Sequence, residues 1–125
     1  MRLPATFDPI EAGEIDNFAF DFTGDVGQAS IVSTSWTCAL APFQTATDPT
    51  PQARVLSAAS QSMIRLRSPR DGSLQTKAGY FSVATIGGMP ATAAGATYIL
   101  EAIVTLSDGR VLRLNSTVQC APSGI

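Results

Sequence analysis

The chain reads as an all-β antiparallel sandwich. Short runs alternate apolar and polar residues with a period of two. Turn signals built on Gly, Pro and Asp recur at spacings of roughly ten residues. No stretch holds the 3.6-residue period of an amphipathic helix. At 125 residues the chain is one domain, long enough to bury a real core.

Residues 1–14 carry Pro4, Pro9 and Gly13 and read as an irregular entry segment. Phe18, Phe20 and Phe22 then alternate with Ala19, Asp21 and Thr23, which predicts a half-buried strand. Gly24-Asp25-Val26-Gly27 breaks it. A strand follows over about Ala29–Leu40, with Val32, Thr34, Trp36 and Cys38 on one face. Residues 41–52 hold Pro42, Pro49 and Pro51 and read as a loop, with a turn at Asp48-Pro49. Residues 53–78 are mixed. Val55–Ser60 fits a short helix or a strand, Met63–Arg67 alternates as a strand, and Leu74–Ala78 is ambiguous. Between them Ser68-Pro69-Arg70-Asp71-Gly72 is a turn, because Pro pre-sets φ and Gly accepts a positive one. Tyr80–Ile86 is strand-like and ends at Gly87-Gly88. Ala91–Ala96 reads as a loop whose alanines allow a short helix.

Thr97–Leu106 and Val111–Cys120 flank Ser107-Asp108-Gly109-Arg110 as a β-hairpin. A two-residue Asp108-Gly109 turn would set Val104 against Arg113 and Ala102 against Asn115. A three-residue loop, Ser107-Asp108-Gly109, sets Val104 against Leu112, Ala102 against Leu114, Leu100 against Ser116 and Tyr98 against Val118. The second register gathers the apolar residues on one face, and Gly109 supplies the left-handed residue that its bulge needs. The predicted core is Phe18, Phe20, Phe22, Trp36, Tyr98, Leu100, Val104 and Leu114.

Composition narrows function by exclusion. There is no histidine, so Ser-His-Asp and Cys-His catalysis and His-bound metals are out of reach. The net charge of −2 comes from eight basic and ten acidic residues without runs, where a nucleic-acid binder would show a basic stripe. No apolar run approaches the roughly 18 residues of a membrane span. Met1–Ile10 has no hydrophobic stretch of the signal-peptide kind, so the chain is expected to fold in a reducing cytosol. Cys38 and Cys120 lack metal-site spacing and read as buried free thiols, with a disulfide open if their strands are neighbours. Glu11, Glu14, Asp16 and Asp21 read as a solvated acidic edge guarding a strand, since no calcium-loop pattern accompanies them. No serine sits in a nucleophile motif, Gly87-Gly88 is followed by no phosphate-loop Lys, and Trp36 reads as core. The expectation is no enzyme, no cofactor and no metal.

What remains is surface. Only 14% of the residues are charged, and segments rich in Ala, Thr, Ser and Pro suit burial against neighbours in an assembly. The candidate contact surfaces are the 41–52 loop with Phe43, the turn with Arg65, Arg67 and Arg70, and the 89–96 loop with Met89. Guanidinium forks in that turn would grip carboxylates of a partner; a solvated strand face is the plainer reading.

Phe7-Asp8-Pro9, Phe20-Asp21-Phe22-Thr23 and Ile31-Val32-Ser33 with Ser35-Trp36-Thr37 resemble the N-terminal half of the tailed-phage fibre-tail adaptor proteins. Gly87-Gly88, Gly95-Ala96-Thr97-Tyr98 and the hairpin Ile103–Arg110 are similar to that family's second half. The likeness covers about residues 7–38 and 80–118; residues about 40–78 form a long middle insertion that fits an interaction arm. The resemblance implies an immunoglobulin-like sandwich of about seven strands. It also implies a virion protein, assembled in the bacterial host cytoplasm in multiple copies, that joins neck or tail to fibres by protein–protein contacts. Its partners would be other virion proteins of neck, tail, fibre or capsid, with no nucleic acid and no membrane. Two alternatives are a capsid decoration protein that cements the shell and a carbohydrate-binding module for the host surface.

Overall fold

The computed structural model describes residues 7–67 and 71–121. It contains six strands: β1 (Ile15–Asp21), β2 (Ile31–Leu40), β3 (Val55–Arg67), β4 (Leu74–Gly87), β5 (Thr97–Leu106) and β6 (Val111–Gln119). They form two antiparallel sheets, β1-β4-β3 and β2-β5-β6. In chain order this is the B-E-D and C-F-G arrangement of the immunoglobulin sandwich. Among the described residues the count is six rather than about seven. Residues 7–10 line the end of β6: Phe7 and Ile10 donate their amides to Thr117 O (3.0 Å) and Gln119 O (2.9 Å), with Ile10 bridging Cys120 in parallel.

One apolar cluster fills the space between the sheets. β5 is the central strand of its sheet, and Tyr98, Leu100, Ala102, Val104 and Leu106 alternate inward along it, all buried. Phe18, Phe20 and Phe22 come from the opposite sheet, and Trp36 packs against Phe20 with ring centroids 5.0 Å apart. The expected core is buried apart from Leu114, which is half-buried against it. The Trp36 indole N–H donates to Ser82 Oγ on β4 (2.7 Å), and that hydroxyl also bonds Thr34 Oγ1. This buried polar link ties the sheets together. Ser82→Ala strands the indole N–H and is expected to cost about 1–3 kcal/mol, read from the urea midpoint of unfolding.

The β5–β6 hairpin has the three-residue loop and the predicted register: Val104–Leu112, Ala102–Leu114, Leu100–Ser116 and Tyr98–Val118 are paired. Gly109 has φ +89°, and Leu106 and Arg110 close the loop (2.8 Å). Arg110 then reaches back and donates to Val26 O (2.8 Å) and Asp25 O (3.2 Å), at the end of the single helical turn α1 (Thr23–Val26). The sequence break at Gly24–Gly27 is therefore a helical turn with Val26 buried.

Other expectations are corrected. Val32 lies on the exposed side, because β2 carries a bulge between Ile31 and Ser33 that throws it outward and lets Ile31 pack on the core. The open stretch Val55–Ser60 is a strand and runs on through Met63–Arg67 as β3, ambiguous Leu74–Ala78 joins the expected strand Tyr80–Ile86 in β4, and residues 91–93 make one 3₁₀ turn. The predicted turn at 68–72 lies largely outside the described residues. Cys38 and Cys120 are buried free thiols. Burial, with the Asp48 charge adding to it, pushes the Cys38 thiol up to about 12. Cys38 is expected to resist a small alkylating reagent at mildly alkaline pH until the chain unfolds. Prompt labelling of the native chain would contradict that.

Candidate functional site

The first feature is an arm. β1 ends where Asp21 faces Phe81, yet β3 and β4 run on as a two-stranded hairpin through Arg67 and Leu74. About seven residues per strand at roughly 3.3 Å each carry it about 23 Å past the three-stranded sheet. A bulge marks the departure: Ser62 alone opposes Gly79 and Tyr80, between the pairs Gln61–Phe81 and Met63–Ala78. The bulge is docked on the end of β1, with Phe22 N–H donating to Tyr80 O (2.8 Å) and Tyr80 N–H to Thr23 Oγ1 (2.9 Å). Any side chain at Gly79 would collide with that Thr23 hydroxyl. Lys77 pairs with Asp21 at the base (3.3 Å). Burial pushes the Asp21 carboxyl up, but bonds from the Thr23 hydroxyl and amide and the Lys77 ammonium outweigh it and hold it below the usual value.

Beyond the bulge no described arm residue is buried. Met63 and Leu74 are each 57% exposed. Arg65 and Lys77 are exposed as well, and Ile64 is half-buried. An isolated two-stranded hairpin is marginal in water. Natural sheets shield their free edges, and this arm leaves apolar side chains on one.

The outer face of the β1-β4-β3 sheet is lined with small neutral residues in cross-strand rows, Asn17–Thr85–Ser57 and Ala19–Val83–Ala59. Thr85 Oγ1 donates to Asn17 Oδ1 across one row (2.8 Å). A groove of about 560 Å³ runs over this face, with Phe7 at its rim and Ile64 and Arg65 of the arm also lining it.

The second feature is the loop after β2. Phe43 is fully exposed, and its φ of +64° is the one left-handed backbone among described non-glycine residues. A bulky side chain there costs about 1–2 kcal/mol. The loop around it is braced by side chains. Gln44 donates to Ala41 O (2.6 Å) and Thr97 O (2.9 Å) and accepts from Thr97 N–H. Gln52 donates to Trp36 O (3.0 Å) and accepts from Cys38 N–H (3.0 Å), so its amide stands in for a neighbouring strand along the free edge of β2. Beneath the loop, buried Asp48 accepts from Tyr98 OH (2.7 Å) and Thr50 N–H (2.9 Å). Arg54 Nε lies 3.1 Å from Asp48 Oδ2 without making a hydrogen bond, so that contact is ionic. The same guanidinium donates to Gly88 O and Thr50 Oγ1. Burial, and then the bond to Asp48, raises the Tyr98 hydroxyl far above its usual value. A rigid frame thus holds one strained, solvated ring outward. Phe43→Gly is expected to raise stability by about 0.5–1 kcal/mol, strain relief exceeding glycine's extra chain entropy, and calorimetry checks the sign.

The structure does not gather the expected contact residues into one patch. Phe43 sits at the tip of its loop, and Arg65 lies on the arm between Met63 and the turn. Arg67 ends β3, and Arg70 lies outside the described residues. Met89 is corrected: at 2% exposure it belongs to the core, and its carbonyl accepts from Gly13 N–H (3.0 Å), so it offers nothing to a partner. The fold follows Gly87-Gly88 inward rather than out into a loop. Sequence reasoning missed Asp48, Arg54, Gln44 and Gln52, whose roles depend on contacts with distant strands.

Among the described residues no three Asp, Glu or Cys side chains are placed to hold a metal ion, and no helix is long and apolar enough to cross a membrane. Comparison with known protein families, curated proteins and solved structures finds no match to this chain.

Proposed function

We propose that the chain is a non-enzymatic structural protein of a tailed-phage virion that joins neck or tail to fibres through protein–protein contacts. The observation that carries this reading is the arm of β3 and β4. A hairpin that reaches about 23 Å beyond its sheet with apolar side chains exposed needs a neighbour to cover it. The braced loop that displays Phe43 gives a second, rigid contact, of the aromatic-anchor kind that dominates interface energetics. The resemblance of residues 7–38 and 80–118 to the fibre-tail adaptors supplies the setting, and most of the arm lies in the stretch between these two segments. The low charge density fits a surface buried in an assembly, and the reading needs no cofactor.

Gold-labelled antibody imaging of purified particles tests the proposal. Label confined to the neck or tail is expected. Label spread over the shell would overturn it in favour of a capsid decoration protein. No label, together with no peptide from the chain in disrupted particles, would overturn the virion role.

A further inference from the structure

The β1-β4-β3 sheet is charged oppositely at its two ends. The arm, residues 62–80, holds four basic residues, Arg65, Arg67, Arg70 and Lys77, against one acidic residue, Asp71; Arg65 and Lys77 are exposed, Lys77 pairing with Asp21 at the base, and Met63 and Leu74 are exposed beside them. The far end is where Ile15 pairs with Gly87. There Asp8, Glu11, Glu14 and Asp16 are all exposed, and between residues 7 and 17 the chain has no basic residue. Asp8, Glu14 and Asp16 line a notch of about 160 Å³ together with Phe7. Along β4, Ala78 and Gly87 are nine residues apart, about 30 Å in an extended strand, which separates the arm from the notch of the same chain.

We infer that the occupant of the arm is a second copy of this chain: the basic, apolar arm of one copy docks on the acidic notch of the next. The contact joins two different surfaces, so it is head-to-tail, and repetition generates a ring or an open filament. Complementary charge sets the direction and the salt dependence, and Met63 and Leu74 meeting Phe7 add apolar burial. The inference rests on reading the arm as an assembly element. It is tested on the purified chain, independently of where the chain sits in a particle.

The experiment is sedimentation velocity on the full chain and on two charge-reversed variants. The native chain is expected to associate as its concentration rises at low ionic strength, and to dissociate at high ionic strength. Arg65→Glu with Arg67→Glu, and separately Glu14→Lys with Asp16→Lys, are each expected to stay monomeric. Mixing the two restores association, because each arm then meets an oppositely charged notch. Circular dichroism shows that both variants are folded. A native chain that stays monomeric at all concentrations, a variant that associates as well as the native chain, or folded variants that fail to recombine would each overturn the inference.

Discussion

Asp48→Ala is expected to lower the stability of the chain by about 3 kcal/mol, the low end of the cost of removing one partner from a buried ion pair. The carboxylate accepts from Tyr98 OH and Thr50 N–H and faces Arg54, with its own side chain fully buried. Its removal leaves a largely buried guanidinium without its counter-charge and a buried phenol without its acceptor. The loss has a local signature. Asp48, Gln44 and Gln52 together fix the loop that holds Phe43 in a left-handed conformation. Asp48→Ala is therefore expected to speed amide exchange across residues 41–52 more than across β5 and β6. Urea unfolding gives the size of the effect, and exchange gives its location. Asp48→Asn keeps one acceptor oxygen, for Thr50 N–H, while its amide can donate to the Tyr98 oxygen, and it loses less.

Removing the arm is expected to do the reverse, abolishing association while sparing the fold. Gln61 and Phe81 are a directly opposed pair, so an Asn-Gly turn in place of residues 62–80 closes the hairpin there. No described residue among 62–65 or 74–80 is buried, and the stability change is expected to stay below about 2 kcal/mol. Sedimentation and partner capture report the loss, and thermal unfolding reports the retained fold. Acid gives a milder perturbation at the arm's base. Asp21 is held below its usual value, so the stability it contributes is present above the ordinary carboxylate range and fades as pH falls through the folded value. Exchange at residues 77–80 is expected to quicken only below about pH 4, and an unchanged rate there would remove Lys77–Asp21 from the account.

The half-buried parts of the fold were legible in the sequence. Phe18, Phe20 and Phe22 alternate because one face of β1 meets the core, and the β5–β6 register follows because only one pairing gathers Val104, Leu112, Ala102 and Leu114 on one side. The arm was not legible as one long hairpin: Met63–Arg67 alternates, but Leu74–Ala78, exposed on both faces, carries no alternation to read. Bulges hide for a related reason: the extra residue at Val32 shifts the pattern by one without leaving a mark. The exposure of the candidate contact residues was half legible. Phe43 and Arg65 fall where loop position and local charge placed them, exposed on the loop and the arm. Met89 does not, because a residue beside Gly-Gly and Pro can turn inward as easily as out. The brace beneath Phe43 was beyond reach, because Tyr98 and Asp48 stand fifty residues apart and only the folded sheets bring them together.

In the assembled state the arm of β3 and β4 is expected to be covered by a neighbour. Hydrogen exchange measured on the chain when free and when assembled in its particle tests it directly. The account predicts that amides of residues 61–67 and 74–80 exchange quickly in the free chain and become protected on assembly, while β5 is protected in both. Equal, rapid exchange of the arm in both states would contradict it.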